Sequence, residues 1–185
     1  KKIFELCAAP GTGTELSMDS TSIKAPRGQV AEKKASKTQT SNSIGKTRGG
    51  LNTKIHAIVG KDLRPVAFLL SAENVDDCTE AVPLLKLLPD LKDCDILADK
   101  AYGTKEIRTY LHDQSARYTI PPKVNTKQPW PFDKETYKRR NVIEHFFNRL
   151  KEFRRAETRY DKRDDSFLAF VMVASICVAF SILHI

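Results

Sequence analysis

The order of apolar and polar positions along the 185-residue chain divides it into strands, helices and loops. In "TELSMDSTSIKA" (14–25), Leu16 and Met18 alternate with Ser17 and Asp19, and the β-branched Thr21 and Ile23 follow. That period of two predicts a strand. "TKIHAIVG" (53–60) and "RPVAFLLSA" (64–72) predict two more, joined as a hairpin through "KDLR". "DCTEAVPLLKLLPDL" (77–91) predicts an amphipathic helix carrying Pro83, and "DILADKAYG" (95–103) a short apolar strand that ends at Asp99 in a turn. Residues 104–114 predict a helix with Thr104 as N-cap, and 117–122 a strand stopped by Pro121 and Pro122. A basic helix over 134–155 and an apolar helix over 164–185 close the chain. Strands followed by alternating helices and strands imply a mixed α/β domain over 15–185, preceded by a linker or N-terminal remnant over 1–14.

Charge sharpens this picture. The chain carries a net +8. Residues 24–50, a polar loop, hold seven Lys/Arg and one acid, and residues 137–163 hold ten Lys/Arg and four acids. Each stretch is +6, so the remainder is net −4. Positive charge concentrated in two places suits a polyanion such as nucleic acid, although a pair of solvated basic loops would look the same. The cysteines Cys7, Cys78, Cys94 and Cys177 form no CxxC pair, which argues against a zinc site and fits a reducing cytoplasm. Residues 167–185 contain no Lys, Arg, Asp or Glu, so the stretch reads as a buried core helix or as a membrane anchor. The core helix is the favoured reading.

The basic helix carries the first candidate chemistry. At about 100° per residue, Tyr137, Arg140, Glu144 and Lys151 share an arc of about 60°, with Asn148 beside them. Val142, Ile143, Phe146, Phe147, Leu150 and Phe153 occupy a separate face that should pack on the sheet. Glu144 is a salt-bridge partner for Arg140 four residues earlier, or it is something more. Asp19 lies inside a strand, where aspartate fits poorly, and Asp99 lies where a strand ends. Plain readings exist for both: an Asx turn at Asp19, a turn cap at Asp99. Taken together, three carboxylates on separate elements can hold hard divalent cations through oxygen. Two such cations about 3.5–4 Å apart can activate a hydroxyl and stabilise the leaving oxygen of a phosphodiester. Lys100, Arg140 and Lys151 are then candidates for holding phosphate.

These residues resemble a DDE transposase of a bacterial insertion sequence, in the superfamily of insertion sequences four and five. "MDSTSIKA" resembles the block of the first Asp, "GKTRGGLNTKIHAIVG" (45–60) the glycine-rich block after the basic loop, and "LADKAYG" the block of the second Asp. The pattern Y-x2-R-x3-E-x6-K is matched by Tyr137, Arg140, Glu144 and Lys151, and "TRYDK" (158–162) and the apolar tail also look like family features. The resemblance implies an RNase H-like mixed sheet flanked by helices, with Asp19, Asp99 and Glu144 as catalytic metal ligands. It implies Mg²⁺-dependent cleavage of transposon ends and strand transfer by a 3′-hydroxyl, with Mn²⁺ able to substitute. It also implies contacts from Tyr137, Arg140 and Lys151 to DNA near the scissile phosphate.

Lys46 and Arg48 of the loop and Lys54 after it are further candidates for gripping the backbone, against a solvated-loop reading. The expected partners are DNA of the transposon ends and target, a DNA-binding domain from an upstream reading frame, and a second copy of the chain. The expected place is the bacterial cytoplasm, at the nucleoid. His56 is structural or close to DNA or metal, His145 packs or faces solvent, and Trp130 anchors its loop or stacks on a flipped base. A catalytically inactive DNA-binding remnant or regulator of the same element is the alternative function. A membrane-anchored basic protein would rest on the tail alone.

Overall fold

The computed structural model describes residues 14–26 and 43–182. The expected remnant over 1–14, apart from Thr14, lies outside the described residues, as do Cys7 and the central part of the basic loop. Strand β1 (Glu15–Lys24) lies at the centre of the sheet. It runs antiparallel to β3 (Gly50–Gly60) on one side and parallel to β5 (Asp95–Ala98) on the other. Beyond β5, β6 (Arg117–Thr119) adds in parallel. On its far edge β3 pairs antiparallel with β4 (Pro65–Ala72) and, nearer its start, with β2 (Gly45–Thr47). The strand order β4-β3-β1-β5-β6, with only the first three antiparallel, is that of an RNase H-like sheet.

Side-chain alternation along β1 divides the core in two. Leu16 and Met18 point to one face with Ile58, Ile96 and Ala98. There they meet Ala81, Leu84 and Leu85 of α1 (Asp77–Leu85) and Ile107 and Leu111 of α2 (Lys105–Asp113). Ile23 points to the other face with Ile55, Ala57 and Val59. That face is covered by α4 (Asn141–Lys151), α5 (Arg154–Glu157) and α6 (Asp164–Ile182). In α4, Ile143, Phe146, Phe147 and Leu150 recur at the expected spacing and are buried, and Phe146 stacks on Phe68 of β4 with centroids 6.0 Å apart. Each such side chain contributes about 1.5–3 kcal/mol by leaving water.

Three boundaries and the burial of one helix differ from the sequence expectation, each for a physical reason. The helix expected over 134–155 is three pieces, α3 (Lys134–Lys138), α4 and α5. Between α3 and α4 the backbone tightens to i→i−3 bonds, Arg140 N–H to Tyr137 O at 3.0 Å and Ile143 N–H to Arg140 O at 3.1 Å. Part of the expected loop is a two-strand ribbon, β2–β3, whose turn uses Gly50 at φ 112°; glycine accepts that conformation without strain. The helix expected over 77–91 stops at Leu85, yet Leu88 and Leu91 still reach the core. The apolar helix α6 is buried on one side only, through Phe167, Val171, Ala174, Ser175 and Val178. Val173 and Phe180 stay exposed because α6 forms the outer layer of its face. No helix among the described residues is long and apolar enough to cross a membrane.

Candidate active site

The site is set by the register of β1 and β5. Their last paired residues are Met18 and Ala98, and each strand's next residue is an aspartate. Asp19, inside β1, and Asp99, just past β5, therefore sit at one level where the β1–β5 pairing ends, and α4 lies on the face to which Asp19 points. Asp99 ends β5 and caps a short 3-10 turn (Lys100–Tyr102), where its carboxylate accepts the Ala101 N–H. Asp19 accepts the Ser20 N–H at 2.8 Å through one oxygen and Arg140 at 2.9 Å through the other. The other arm of the Arg140 guanidinium holds the Glu144 carboxylate. Arg140 thus bridges an acid of the sheet and an acid of α4.

The plain roles expected of Glu144 and Asp99 are present, an i,i+4 ion pair and a cap; Asp19 lies inside β1, where its carboxylate takes the Ser20 N–H without closing a turn. What they do not explain is the electrostatics. Burial pushes the Asp19 carboxyl above the usual carboxylate range and outweighs Ser20 and Arg140; the Asp99 charge pushes the same way. Burial works to lower Arg140, but Asp19, Tyr137 and Glu144 more than offset it and hold the guanidinium protonated. Two acids repelling each other where the β1–β5 pairing ends form a place where added positive charge is stabilising. Among the described residues, no three His, Cys, Asp or Glu side chains are gathered closely enough to form a metal cage. The all-oxygen donor set of Asp19, Asp99 and Glu144 nevertheless fits a hard divalent cation, and Arg140 occupies part of that place as a cation.

The remaining candidates separate. Tyr137 sits against Arg140, with the guanidinium 5.8 Å from the ring centroid, and Phe132 meets its ring edge-on. The row of Tyr137, Arg140 and Glu144 survives the break between α3 and α4. Lys151 ends α4 two turns beyond Glu144. Lys100 is exposed and lines a cleft of about 420 Å³ together with Asp99.

Lys54 is not brought to the acids. It belongs to the opposite face of the sheet, where its ammonium binds Asp77 and the Val75 carbonyl, each at 2.7 Å. Lys46 and Arg48 are exposed on the β2–β3 ribbon. The ribbon's turn is seven residues along β3 from Ala57, the partner of Asp19, or about 23 Å at the usual rise per residue. His56 is buried and bonded to Ser71 at 2.7 Å, and burial pulls its pKa down to about 4, so it is a neutral structural residue. His145 is exposed and bonded to Asn141. Trp130 anchors its loop, giving its indole N–H to the Ile120 carbonyl at 2.8 Å while Arg108 covers the ring at 3.9 Å.

Sequence reasoning missed two residues beside the acids. Tyr102 is buried close to Ser20, Asp19 and Asp99, and burial and those charges raise its hydroxyl pKa. Its spacing from Asp99 across a 3-10 turn was the available signal. Arg139 pairs with Glu15 at 2.6 Å, four residues before Asp19 on the same strand. The adjacent arginines therefore fasten the start of α4 to β1 at two points.

A mixed sheet in RNase H-like order, with one acid inside β1, one at the end of β5 and one on a covering helix, defines the class of the fold. Within it, the chain belongs to the transposase DDE domain family, whose profile matches residues 10–179. It is 33% identical over 126 residues to a protein described as a transposase for insertion sequence element IS6501 from Brucella ovis, covering 67% of this chain and 95% of that one. It is 25% identical over 141 residues to a protein described as a transposase for insertion sequence element IS402 from Burkholderia cepacia, covering 71% of this chain and 64% of that one. Among solved structures it is similar to a chain in the cryo-EM structure of the simian T-cell lymphotropic virus intasome in complex with the PP2A regulatory subunit B56 gamma. That likeness has a TM-score of 0.45 and 14% identity, and it covers 87% of this chain and 47% of the other.

Proposed function

We propose that the chain is the catalytic domain of an insertion-sequence transposase that cuts DNA at transposon ends and joins the resulting 3′-hydroxyl to target DNA. The observation that carries this reading is that Asp19 and Asp99 follow the last paired residues of β1 and β5, while Arg140 bridges Asp19 to Glu144 of the covering helix α4. The three carboxylates would hold Mg²⁺, or Mn²⁺ in its place. When bound, the ions would activate the attacking oxygen and stabilise the leaving one.

The protein's own groups do the rest. Arg140, released from Asp19 and Glu144, presents a planar fork that suits a phosphate by two bonds at once. Tyr137 backs that guanidinium, Lys100 lies next to Asp99, and Lys151 extends the cationic row along α4. Arg139 holds the start of α4 against β1 so that Glu144 stays near Asp19. Lys46 and Arg48 would meet backbone further along the duplex, about 23 Å away. Lys54 is assigned to the fold rather than to DNA. A DNA-binding domain from an upstream frame and a second copy of the chain would complete an assembly working at the bacterial nucleoid.

The test is nicking of a labelled transposon-end duplex in Mg²⁺ or Mn²⁺, comparing the wild type with Glu144→Gln. Nicking that needs the metal and disappears in the variant is the expected result. DNA binding with no nicking by either protein would favour the second reading, a catalytically inactive DNA-binding product. That reading draws on Arg140 closing Asp19 and Glu144 together.

A further inference from the structure

The cleft beside Asp99 has a second wall that the transposase reading does not use. It is lined by Asp99, Lys100 and Ala101 on one side and by Lys123, Val124 and Asn125 on the other, and it encloses about 420 Å³. That volume suits a group of about nucleotide size. Lys123, Val124 and Asn125 belong to a tight turn closed by the Thr126 N–H on the Lys123 carbonyl at 2.9 Å.

The turn is held stiffly. Pro121 and Pro122 precede it. Trp130 ties the two ends of the loop by its bond to Ile120, and Arg108 stacks on its indole. A side chain at Gly103 would meet the Trp130 ring at 3.2 Å, so this glycine lets the loop seat against the turn that follows Asp99. Indole and glycine therefore set the width of the cleft.

At the tip, Val124 is 94% exposed. An exposed valine by itself says little. Its position gives it meaning, because it sits between two polar cleft residues at the rim. Among the described residues, neither Lys100 nor Lys123 is in an ion pair. A rigid rim carrying free ammonium groups, an amide and one apolar side chain matches the chemistry of an unstacked nucleotide. Such a nucleotide presents a phosphate to cations and a base or sugar face to an apolar surface.

The geometry points to a strand-positioning subsite between the Asp99 turn and the Lys123–Asn125 turn. Lys100 and Lys123 hold the phosphate next to the scissile one, and Val124 packs on the nucleotide that leaves the stack. The inference rests on the transposase reading and adds Lys123, Val124 and Asn125 to it as positioning residues.

The experiment uses a fluorescein-labelled duplex with a forked, single-stranded end, a fully paired duplex as control, and 2-aminopurine at the fork. Binding is followed by anisotropy over a series of salt concentrations. Lys123→Ala should lower the slope of log affinity against log salt by about 1. Val124→Ser should leave that slope unchanged, reduce the 2-aminopurine signal gain about two-fold on the forked duplex and change nothing on the paired one. Both residues are exposed, so the variants should melt with the wild type. Wild-type slopes and wild-type 2-aminopurine signals in both variants would overturn the subsite while leaving the transposase reading intact. Absence of DNA binding by the wild type itself would remove both.

Discussion

Two arginines pair with acids on the same face of the sheet, one with a single carboxylate and one with two, and they do opposite things. Arg159 is fully buried. Its guanidinium donates to the Thr53 hydroxyl at 2.8 Å, the Asp161 carbonyl at 3.0 Å and the Asp164 carboxylate at 2.5 Å, and it lies over the Phe167 ring. Asp164 in turn accepts the Ser43 hydroxyl at 2.8 Å. Every partner in that set belongs to the frame, tying β3, α6 and the approach to β2 together. Arg140 binds Asp19, whose β3 partner Ala57 is four residues along the strand from Thr53, or about 13 Å. Its partners are two acids and an aromatic face, and half of the Glu144 side chain is open to water. A cation in a closed hydrogen-bonded set fixes structure. A cation shared between two acids at a half-open site can be exchanged for another cation.

The contrast is broken most forcefully at Arg159. Arg159→Met leaves Asp164 and Thr53 without their partner, and loss of one member of a buried pair costs about 3–5 kcal/mol. Urea denaturation followed by circular dichroism should show that loss or an unfolded chain. His56, also in the frame, gives the next largest effect. Its folded pKa of about 4 lies below the unfolded value of 6.5, so the unfolded chain binds the extra proton first as pH falls. The stability that neutral His56 confers is complete above pH 6.5 and is lost as pH falls through that window towards 4. The loss is about 3 kcal/mol. Urea midpoints measured across the window should drop, and His56→Gln should flatten the drop.

Arg140→Gln belongs at the small end for stability, because its Glu144 arm is open to water and Asp19 keeps its bond from Ser20: about 1 kcal/mol by the same urea assay. Its expected effect on nicking is far greater, on the order of 100-fold, as for loss of a positioned charge donor. An equal loss of stability at Arg140 and Arg159 would remove the distinction between frame and site.

The sequence made some of this visible and hid the rest for definable reasons. Period-two alternation located β1, β3 and β4, and the aspartates at 19 and 99 stood out because strand interiors and strand ends disfavour or localise that residue. The helical row of Tyr137, Arg140 and Glu144 was also legible, since tightening to i→i−3 bonds barely disturbs the phase over one turn. The break itself was not, because its cause is tertiary: Arg139 and Arg140 reach Glu15 and Asp19 on a strand more than a hundred residues earlier. Lys54 read as a DNA contact because a lysine after a basic loop looks available, whereas strand alternation put it opposite Asp77. Arg159 passed as part of "TRYDK", since burial of a guanidinium needs five donors' worth of partners that no local pattern reveals.

The central claim is that Asp19, Asp99 and Glu144 form a site for a divalent cation, and direct metal binding tests it without relying on DNA or turnover. Mn²⁺ would be titrated into the wild type, Asp19→Asn and Asp99→Asn, and free Mn²⁺ read from its solution electron paramagnetic resonance signal. The account predicts that the wild type depletes the free signal and that each variant does so far less, with all three proteins folded. Equal depletion by wild type and variants, or none by any of them, would contradict it.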